Sequence, residues 1–313
     1  MAWHPPAWEG SHNCGLQGAP ALACQPGRPP YRLAETSLLQ TLPMPLPHLP
    51  TLLPALERLA RQAGAVVMAI YATPFTVQGK ADDSPVTLAD QQAERVILDG
   101  LRVLTPGLPI VAEEAVAAGQ APSLVAGEPF WLVDPLDGTR EFVARNGEFT
   151  VNIALIHHGR PLLGVVLAPA VGGPGGTLYA GIVGQGAWCE DAAGRRAIHC
   201  RRLPADGLTV LASRSHGDTA VQDAFVAAYL ARHLPGQRVA HTGTAGSSLK
   251  LCLLAAGQAD LYPRLGRTME WDIAAGHAVL AAAGGRVACA DGAGPLRYGK
   301  PGFENPHFVA VGW

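Results

Sequence analysis

Trp131-Leu132-Val133-Asp134-Pro135-Leu136-Asp137-Gly138-Thr139 is the stretch on which the reading of this chain turns. Phe130 to Val133 is a short apolar run, partly β-branched, and predicts a buried strand. Pro135 has no backbone N–H to give to a ladder, so the strand is expected to leave its sheet at Asp134. Two carboxylates three residues apart then stand at a strand end. Gly138 and Thr139 lead into a helical turn, whose free N–H groups favour an anion. Carboxylates and a phosphate-sized anion do not share a pocket unaided, because like charges about 4 Å apart repel by roughly 4 kcal/mol at an effective dielectric near 20. A divalent cation between them removes the conflict. The same residues also suit a plain acidic turn with Asp134 and Asp137 as helix caps, and Asp-x-x-Asp alone leaves both readings open.

The 313 residues suffice for one large or two ordinary domains. Charged residues are only 15% and the net charge is -2, so no basic field recommends nucleic acid as a partner. The basic residues are nearly all Arg; the lysines are Lys80, Lys250 and Lys300. Six scattered cysteines without a Cys-x-x-Cys pair point to a reducing compartment rather than to zinc or a disulfide framework. No apolar run approaches the roughly 18 to 20 residues needed to span a bilayer, and no basic segment followed by an apolar one marks a signal peptide. A cytoplasmic protein is expected. Peripheral membrane association stays open, although no basic amphipathic helix argues for it.

Residues 1–48 carry nine prolines and no apolar periodicity, which predicts a disordered extension. Met44 lies just before the first helical pattern, so start-site choice is one origin for this segment. Residues 49–205 are expected to form an N-terminal α+β subdomain, two helices packed on a mixed sheet. Its first helix runs from Leu52 toward Pro74, with Leu52, Leu56, Leu59, Ala63, Val66, Val67 and Ile70 at helical spacing. A polar turn over Lys80 to Thr87 follows, then a second helix with Ala93, Val96, Ile97 and Leu101 on one face. Thr87 and Asp90 have the spacing of a capping box, so Asp90 suits either a cap or an active site. Leu108 to Ala112 reads as a strand ending at Glu113-Glu114, residues 115–128 as a loop, and Phe149 to Ile156, Leu162 to Leu167, Thr177 to Ile182 and Gly186 to Cys189 as strands in an antiparallel pattern. Residues 206–313 alternate strands and helices, including a helix over Gly246 to Ala256 and a small-residue helix over Trp271 to Ala283, and are expected to form a C-terminal α/β subdomain.

Acidic residues therefore stand at the ends of several elements: Asp90, Glu113, Asp134 with Asp137, and Asp272. Oxygen ligands without His or Cys select a hard cation, Mg²⁺ or Mn²⁺ rather than zinc. Taken in order, Glu113-Glu114, Asp134-Pro135-Leu136-Asp137-Gly138-Thr139 and Trp271-Asp272-Ile273-Ala274-Ala275-Gly276 resemble the lithium-sensitive, Mg²⁺-dependent inositol monophosphatase superfamily. The resemblance runs from about Leu52 to the C-terminus. Within it, Gly138-Thr139-Arg140-Glu141-Phe142 and Arg145-Asn146-Gly147-Glu148-Phe149-Thr150-Val151-Asn152-Ile153-Ala154-Leu155 are similar to the CysQ-type 3′(2′),5′-bisphosphate nucleotidases. So are Ser213-Arg214-Ser215-His216, Gly246-Ser247-Ser248-Leu249-Lys250 and Tyr262-Pro263-Arg264. Arg140 stands where those nucleotidases often have Lys, Arg267 follows Gly266 where proline is common, and residues 170–176 form a Gly/Pro-rich insertion.

The resemblance implies an α/β fold of the layered α+β kind, an αβαβα sandwich of two subdomains. It implies Mg²⁺ as cofactor, two or three ions, with Mn²⁺ able to substitute. Glu113, Asp134, Asp137 and Asp272 would be carboxylate ligands and the Leu136 carbonyl a further one. Asp90 would serve another metal site or, with Thr139, orient the attacking water. Gly138 and Thr139 would face the scissile phosphate, with Glu113 and Asp272 beside the substrate. Ser247, Ser248, Lys250 and Arg264 would lie toward the nucleotide, with capping and solvation as alternatives for Ser247 and Lys250. The implied partner is a small nucleotide bisphosphate, and the implied state a monomer or homodimer. The implied reaction, in the context of sulfur metabolism, removes the 3′-phosphate of adenosine 3′,5′-bisphosphate and of its 5′-phosphosulfate relative, without a covalent phosphoenzyme. An inositol monophosphatase is the alternative, and a non-enzymatic Mg²⁺- or nucleotide-binding protein a further one. A haloacid-dehalogenase-like phosphatase is excluded, because its nucleophilic Asp would fall at Pro135.

Overall fold

The computed structural model describes residues 46–79, 85–213 and 219–313. Most of the Pro-rich segment, the Lys80–Ser84 part of the polar turn and Arg214, Ser215 and His216 lie outside the described residues. The first helix, α1 (Leu49–Tyr71), begins with Pro50 in its first turn, where a missing N–H costs nothing. A two-rung ladder joins β1 (Gln78–Gly79) to β2 (Pro85–Val86). Helix α2 (Leu88–Leu104) follows, opened by the Thr87/Asp90 capping box. Then come β3 (Ile110–Ala112), α3 (Glu113–Ala117), β4 (Phe130–Asp137) and α4 (Thr139–Val143). A meander follows: β5 (Thr150–His157), β6 (Arg160–Ala168), β7 (Thr177–Ile182), β8 (Gly186–Asp191) and β9 (Gly194–Ile198).

These strands form a seven-stranded sheet in the order β3-β4-β5-β6-β7-β8-β9, parallel between β3 and β4 and antiparallel elsewhere. After residue 205 the chain enters a second sheet. It contributes β10 (Leu208–Ser213), α5 (Thr219–His233), β11 (Val239–Ala245), α6 (Leu249–Ala255), β12 (Leu261–Arg264), α7 (Glu270–Ala282), β13 (Arg286–Cys289) and β14 (Phe308–Val311). The second sheet has the order β11-β10-β12-β14-β13.

Side-chain alternation along the strands explains the layering. Trp131, Val133, Ile153 and Val165 face Leu56, Ala63 and Ile97 of α1 and α2. The intervening Leu132, Ala154 and Val166 face the other way, into a cluster with Leu251, Cys252, Ala275 and Val279 of α6 and α7 and with Tyr262 and Phe308 of the second sheet. Leu208, Val210, Leu261 and Val309 bury the outer face of that sheet against Val226 and Leu230 of α5. The result is five layers, α1/α2, sheet, α6/α7, sheet, α5, as the αβαβα expectation requires. Both faces of each sheet are covered, which is why the central strands read as continuous apolar runs.

Helix α7 is buried nearly all round and built from small residues, and the sheet meets it with glycine. A Cβ at Gly164 of β6 would stand 2.3 Å from the Ala275 carbonyl oxygen, and one at Gly181 of β7 would stand 2.8 Å from Ala282 Cβ. This close approach matters for the site because α7 carries Asp272 in its first turn.

Four local expectations are corrected. The strand does not end at Asp134 but bulges and pairs again at Asp137. The acidic strand end at Glu113 opens a short helix instead of the expected loop, because its N-terminal N–H groups find a carboxylate partner, Glu94. Gly246 to Ser248 is not helical: Ser247 adopts φ +50, which ends any continuous helix there. Strand β9 was not foreseen, since Gly194-Arg195-Arg196 lacks an apolar pattern. No helix of the described residues is long and apolar enough to cross a membrane.

Replacing Gly164 by Ala is expected to lower unfolding stability by about 1–3 kcal/mol, the range for overpacking a close contact. Urea denaturation checks this, with a fall in midpoint at unchanged slope as the expected result.

Candidate active site

Pro135 interrupts the β4 ladder without ending it. Asp134 pairs with Asn152 and Asp137 with Thr150, so β4 has one residue more than β5 between those rungs. A bulge of this kind turns side chains out of strict alternation. Asp134 Oδ1 accepts the Leu136 N–H at 2.9 Å, closing the bulge on itself. Gly138 then takes φ +89 and starts α4 at Thr139. A Cβ at Gly138 would stand 2.1 Å from Ser247 Oγ, so glycine is required there by conformation and by space.

The bulge opens on a cleft of about 370 Å³, lined by Glu113, Asp137, Gly138, Thr139, Ser247, Ser248, Lys250, Arg264 and Asp272, all of them residues singled out from the sequence. Arg140 and Arg267 line it too. Asp134 is only 1% exposed, and the charges of Glu113, Asp137 and Asp272 all act on it. Four elements therefore supply the acidic cluster: α3, β4 with its bulge, and the first turn of α7, with α2 bringing Asp90.

Burial raises the pKa of Asp134 well above the usual carboxylate range, and Glu113, Asp137 and Asp272 push it further up. Asp272 is raised by burial, then by Asp137 and Glu113. Asp137 is raised to about 6 by burial, with Lys250 and the Ser248 N–H working against the rise. Each of the three commits one oxygen to hydrogen bonding: Asp134 Oδ1 to Leu136, Asp137 Oδ2 to the Ser248 N–H at 2.7 Å with Asn152 Nδ2 3.5 Å away, and Asp272 Oδ2 to the Met269 N–H at 2.8 Å. Among the described residues no three acidic, His or Cys side chains already stand in a closed ligand shell. The donor chemistry nevertheless fits a hard divalent ion: oxygen only, mutually repelling and half committed to backbone donors.

Asp90 caps α2 with one oxygen and reaches Thr139 with the other. Its Oδ2 accepts from Thr87 N at 2.7 Å and Thr87 Oγ1 at 2.8 Å, which completes the cap, while its Oδ1 lies 3.2 Å from Thr139 Oγ1. The polar atoms expected to lie toward a nucleotide have internal partners. Ser247 Oγ is 2.8 Å from the Asp137 carbonyl oxygen, and Ser248 Oγ donates to the Asp272 carbonyl. Lys250 Nζ donates to the carbonyls of Ala245 and Ser247 at 3.0 and 2.8 Å, and its burial lowers its pKa to about 8. Arg264 is 9% exposed and donates through Nη2 to the Arg267 carbonyl, while its buried Nε has no hydrogen-bond partner.

Two contributors were given no role from the sequence. Glu94, 5% exposed, accepts the N–H groups of Glu114 and Ala115 at 2.8 and 3.0 Å and so fixes the helix that presents Glu113. It sits one turn beyond Asp90 on the apolar face of α2, and a carboxylate on such a stripe was the available signal. Asn152 is the rung partner of Asp134 and approaches Asp137.

Comparison with known proteins agrees with this geometry. The profile of the Inositol monophosphatase family matches residues 48–307. A 3′(2′),5′-bisphosphate nucleotidase CysQ of Escherichia coli is 48% identical over 256 residues, 80% of this chain and 96% of that protein. The crystal structure of CysQ from Bacteroides thetaiotaomicron, described as a bacterial member of the inositol monophosphatase family, superposes with a TM-score of 0.65 at 34% identity, covering 83% of this chain and 96% of its own. An inositol monophosphatase structure from Anabaena gives 0.63 at 26% identity, with 85% and 92% covered.

The raised pKa of Asp137 has a stability consequence in chelator-treated protein. Its folded form holds a proton more tightly than the unfolded chain, so stability falls as pH rises from 3.8 toward about 6 and the full penalty remains above that window. In metal-free buffer Asp137→Asn is therefore expected to raise Tm at about pH 8, with the gain shrinking as pH falls to about 5. Thermal melts across pH, in chelator, read this directly; a gain independent of pH contradicts it.

Proposed function

The chain belongs to the inositol monophosphatase family, and from that premise we propose that it is a Mg²⁺-dependent 3′(2′),5′-bisphosphate nucleotidase. Its substrate is adenosine 3′,5′-bisphosphate, and it also accepts the 5′-phosphosulfate analogue. The observation that carries the substrate class is the pairing, in one cleft, of an acidic floor with a basic wall. Glu113, Asp137 and Asp272 line the same space as Arg140, Arg264 and Arg267. A substrate with one phosphate to hydrolyse and a second anionic group to anchor uses both; a polyol monophosphate uses only the first. The buried Arg264 Nε, without a hydrogen-bond partner, is the donor such a second group would satisfy.

Glu113, Asp134, Asp137, Asp272 and the Leu136 carbonyl are the groups that would hold the ions. When bound, the ions neutralise the phosphoryl charge and make water a competent nucleophile. Asp90, anchored through Oδ2 to Thr87, aims Oδ1 at the Thr139 hydroxyl, and this pair orients the attacking water and draws off its proton. The backbone N–H groups of Gly138 and Thr139 meet the phosphoryl oxygens, and the bulge keeps them beside the carboxylates. Water adds to phosphorus as the 3′ C–O–P linkage breaks on the phosphorus side, yielding orthophosphate and adenosine 5′-phosphate.

Phosphate release at saturating Mg²⁺ from adenosine 3′,5′-bisphosphate and from inositol monophosphate, side by side with and without Li⁺, tests the reading. Strong preference for the nucleotide, suppressed by Li⁺, is expected; preference for the inositol ester overturns the substrate assignment. Asp134→Asn and Thr139→Ala are each expected to lower kcat by about 10²-fold or more with native circular dichroism, the scale for losing one preorganised contact at the reacting group. Wild-type turnover in either variant contradicts the role given to that residue.

A further inference from the structure

Glu148 does not line the cleft, yet it is fastened to the loop that locks the acidic cluster. Its Oε2 accepts the Gly246 N–H at 2.8 Å, and its carbonyl oxygen lies 2.9 Å from Ser247 Oγ. From there the contacts run straight to two elements of the cluster. Ser247 Oγ reaches the Asp137 carbonyl, the Ser248 N–H donates to Asp137 Oδ2, and Ser248 Oγ donates to the Asp272 carbonyl. The Gly246–Ser248 loop, between β11 and α6, is thus the link between the β4 bulge of one sheet and the helix α7 that carries Asp272.

That loop is not held by its own conformational preference. Ser247 sits at φ +50, a left-handed value that costs a non-glycine residue about 1 kcal/mol or more and persists only where the surroundings determine it. A Cβ at Gly246 would come within 2.4 Å of the Glu148 carbonyl oxygen, so this approach of backbone to backbone is open only to glycine. Glu148 itself is rigidly presented. Its N–H donates to Asn146 Oδ1 at 2.9 Å in an Asx turn, and Gly147 takes φ +81. Arg145, with φ +60, donates to the carbonyls of Tyr71 and Thr73 and lies 4.8 Å from the Phe75 ring centre. The turn is therefore tied to the end of α1.

We propose that Glu148 is a positioning residue for the acidic cluster: by clamping the Gly246–Ser248 loop through the Gly246 N–H, it fixes the loop whose Ser248 holds Asp137 and the Asp272 backbone, and so the two acidic elements relative to each other. The assignment rests on the metal-binding reading of the cluster above. Removing the side chain frees the Gly246 N–H, lets Ser247 relax from its left-handed conformation and loosens the Ser248 contacts to both acidic elements. Glutamine keeps an oxygen acceptor at the same reach and so keeps the clamp.

The test compares Glu148→Ala and Glu148→Gln with wild type by Mn²⁺ titration followed by electron paramagnetic resonance, without substrate, and by steady-state kinetics. The alanine variant is expected to bind Mn²⁺ about tenfold to hundredfold more weakly, the usual effect of losing a group that orients ligands. Its kcat should fall at subsaturating Mg²⁺ and recover with added Mg²⁺, with KM for the nucleotide changed less than about threefold. Glutamine should stay within about threefold of wild type in every readout. An alanine variant that melts earlier but binds Mn²⁺ like wild type, measured well below its Tm, overturns the proposal. Should alanine not fold, Glu148→Asp, which shortens the reach by one methylene, decides in the same way: weakened Mn²⁺ binding supports the clamp and wild-type binding refutes it. Because the Mn²⁺ titration uses no substrate, wild-type failure to hydrolyse either ester overturns the nucleotidase reading alone.

Discussion

Glu113, Asp137 and Asp272 line one cleft with Asp134 buried beside them, and their mutual repulsion is the constraint around which the site is arranged. Asp134 is buried and Asp272 half-buried, and each feels the other acidic charges, so the isolated protein holds them at a cost. Backbone N–H groups offset part of it: Leu136 for Asp134, Ser248 for Asp137 and Met269 for Asp272. None of these donors removes the charge, and that remains for a cation. A site so built is destabilising when empty and rewarding when filled, the usual relation between stored electrostatic strain and affinity.

The layers follow from the need to bring those carboxylates together from distant parts of the chain. Helix α7 lies between the two sheets because its small residues and the glycines of β6 and β7 allow close approach, and Asp272 travels with it. Strand β4 is central enough to be buried on both faces, yet Pro135 cannot complete its ladder. The bulge is the compromise: pairing resumes at Asp137, and the interrupted rungs release Asp134, Leu136 and Asp137 from the regular pleat. A short helix from Glu113 and a capping residue on α2 then close the cluster from the remaining side.

Several residues do two things at once. Asp90 caps α2 with one oxygen and meets Thr139 with the other. Asp272 stands in a capping position of α7 while facing the acidic cleft. Lys250 holds two carbonyls of the serine loop while its charge counters Asp137. Capping and a place at the cleft are therefore not competing explanations here. A carboxylate has two oxygens, and a cap uses one of them while orienting the other.

The amino-acid sequence alone determined most of the order of elements, short α3 and β9 apart, the acidic residues of the cleft and, through the resemblance its motifs carry, the five-layer fold class. Strand and helix periods are local properties, and the Asp-Pro-Leu-Asp-Gly-Thr and Trp-Asp-Ile-Ala-Ala-Gly patterns are contiguous. What it did not reveal depends on contacts across long separations. The parts played by Glu94 and Glu148 cannot be read until their partners, 20 and 98 residues away, are in place. Ser247 and Ser248 read as the start of a helix, and only packing against Glu148 and the β4 bulge forces the left-handed turn instead. The expectation that β4 ends at Asp134 failed for the same reason: proline forbids one hydrogen bond, but whether a strand stops or bulges is decided by the neighbour that continues to pair with it. Residue types are written in the chain, whereas the orientation of a side chain's second oxygen is set by the tertiary structure around it.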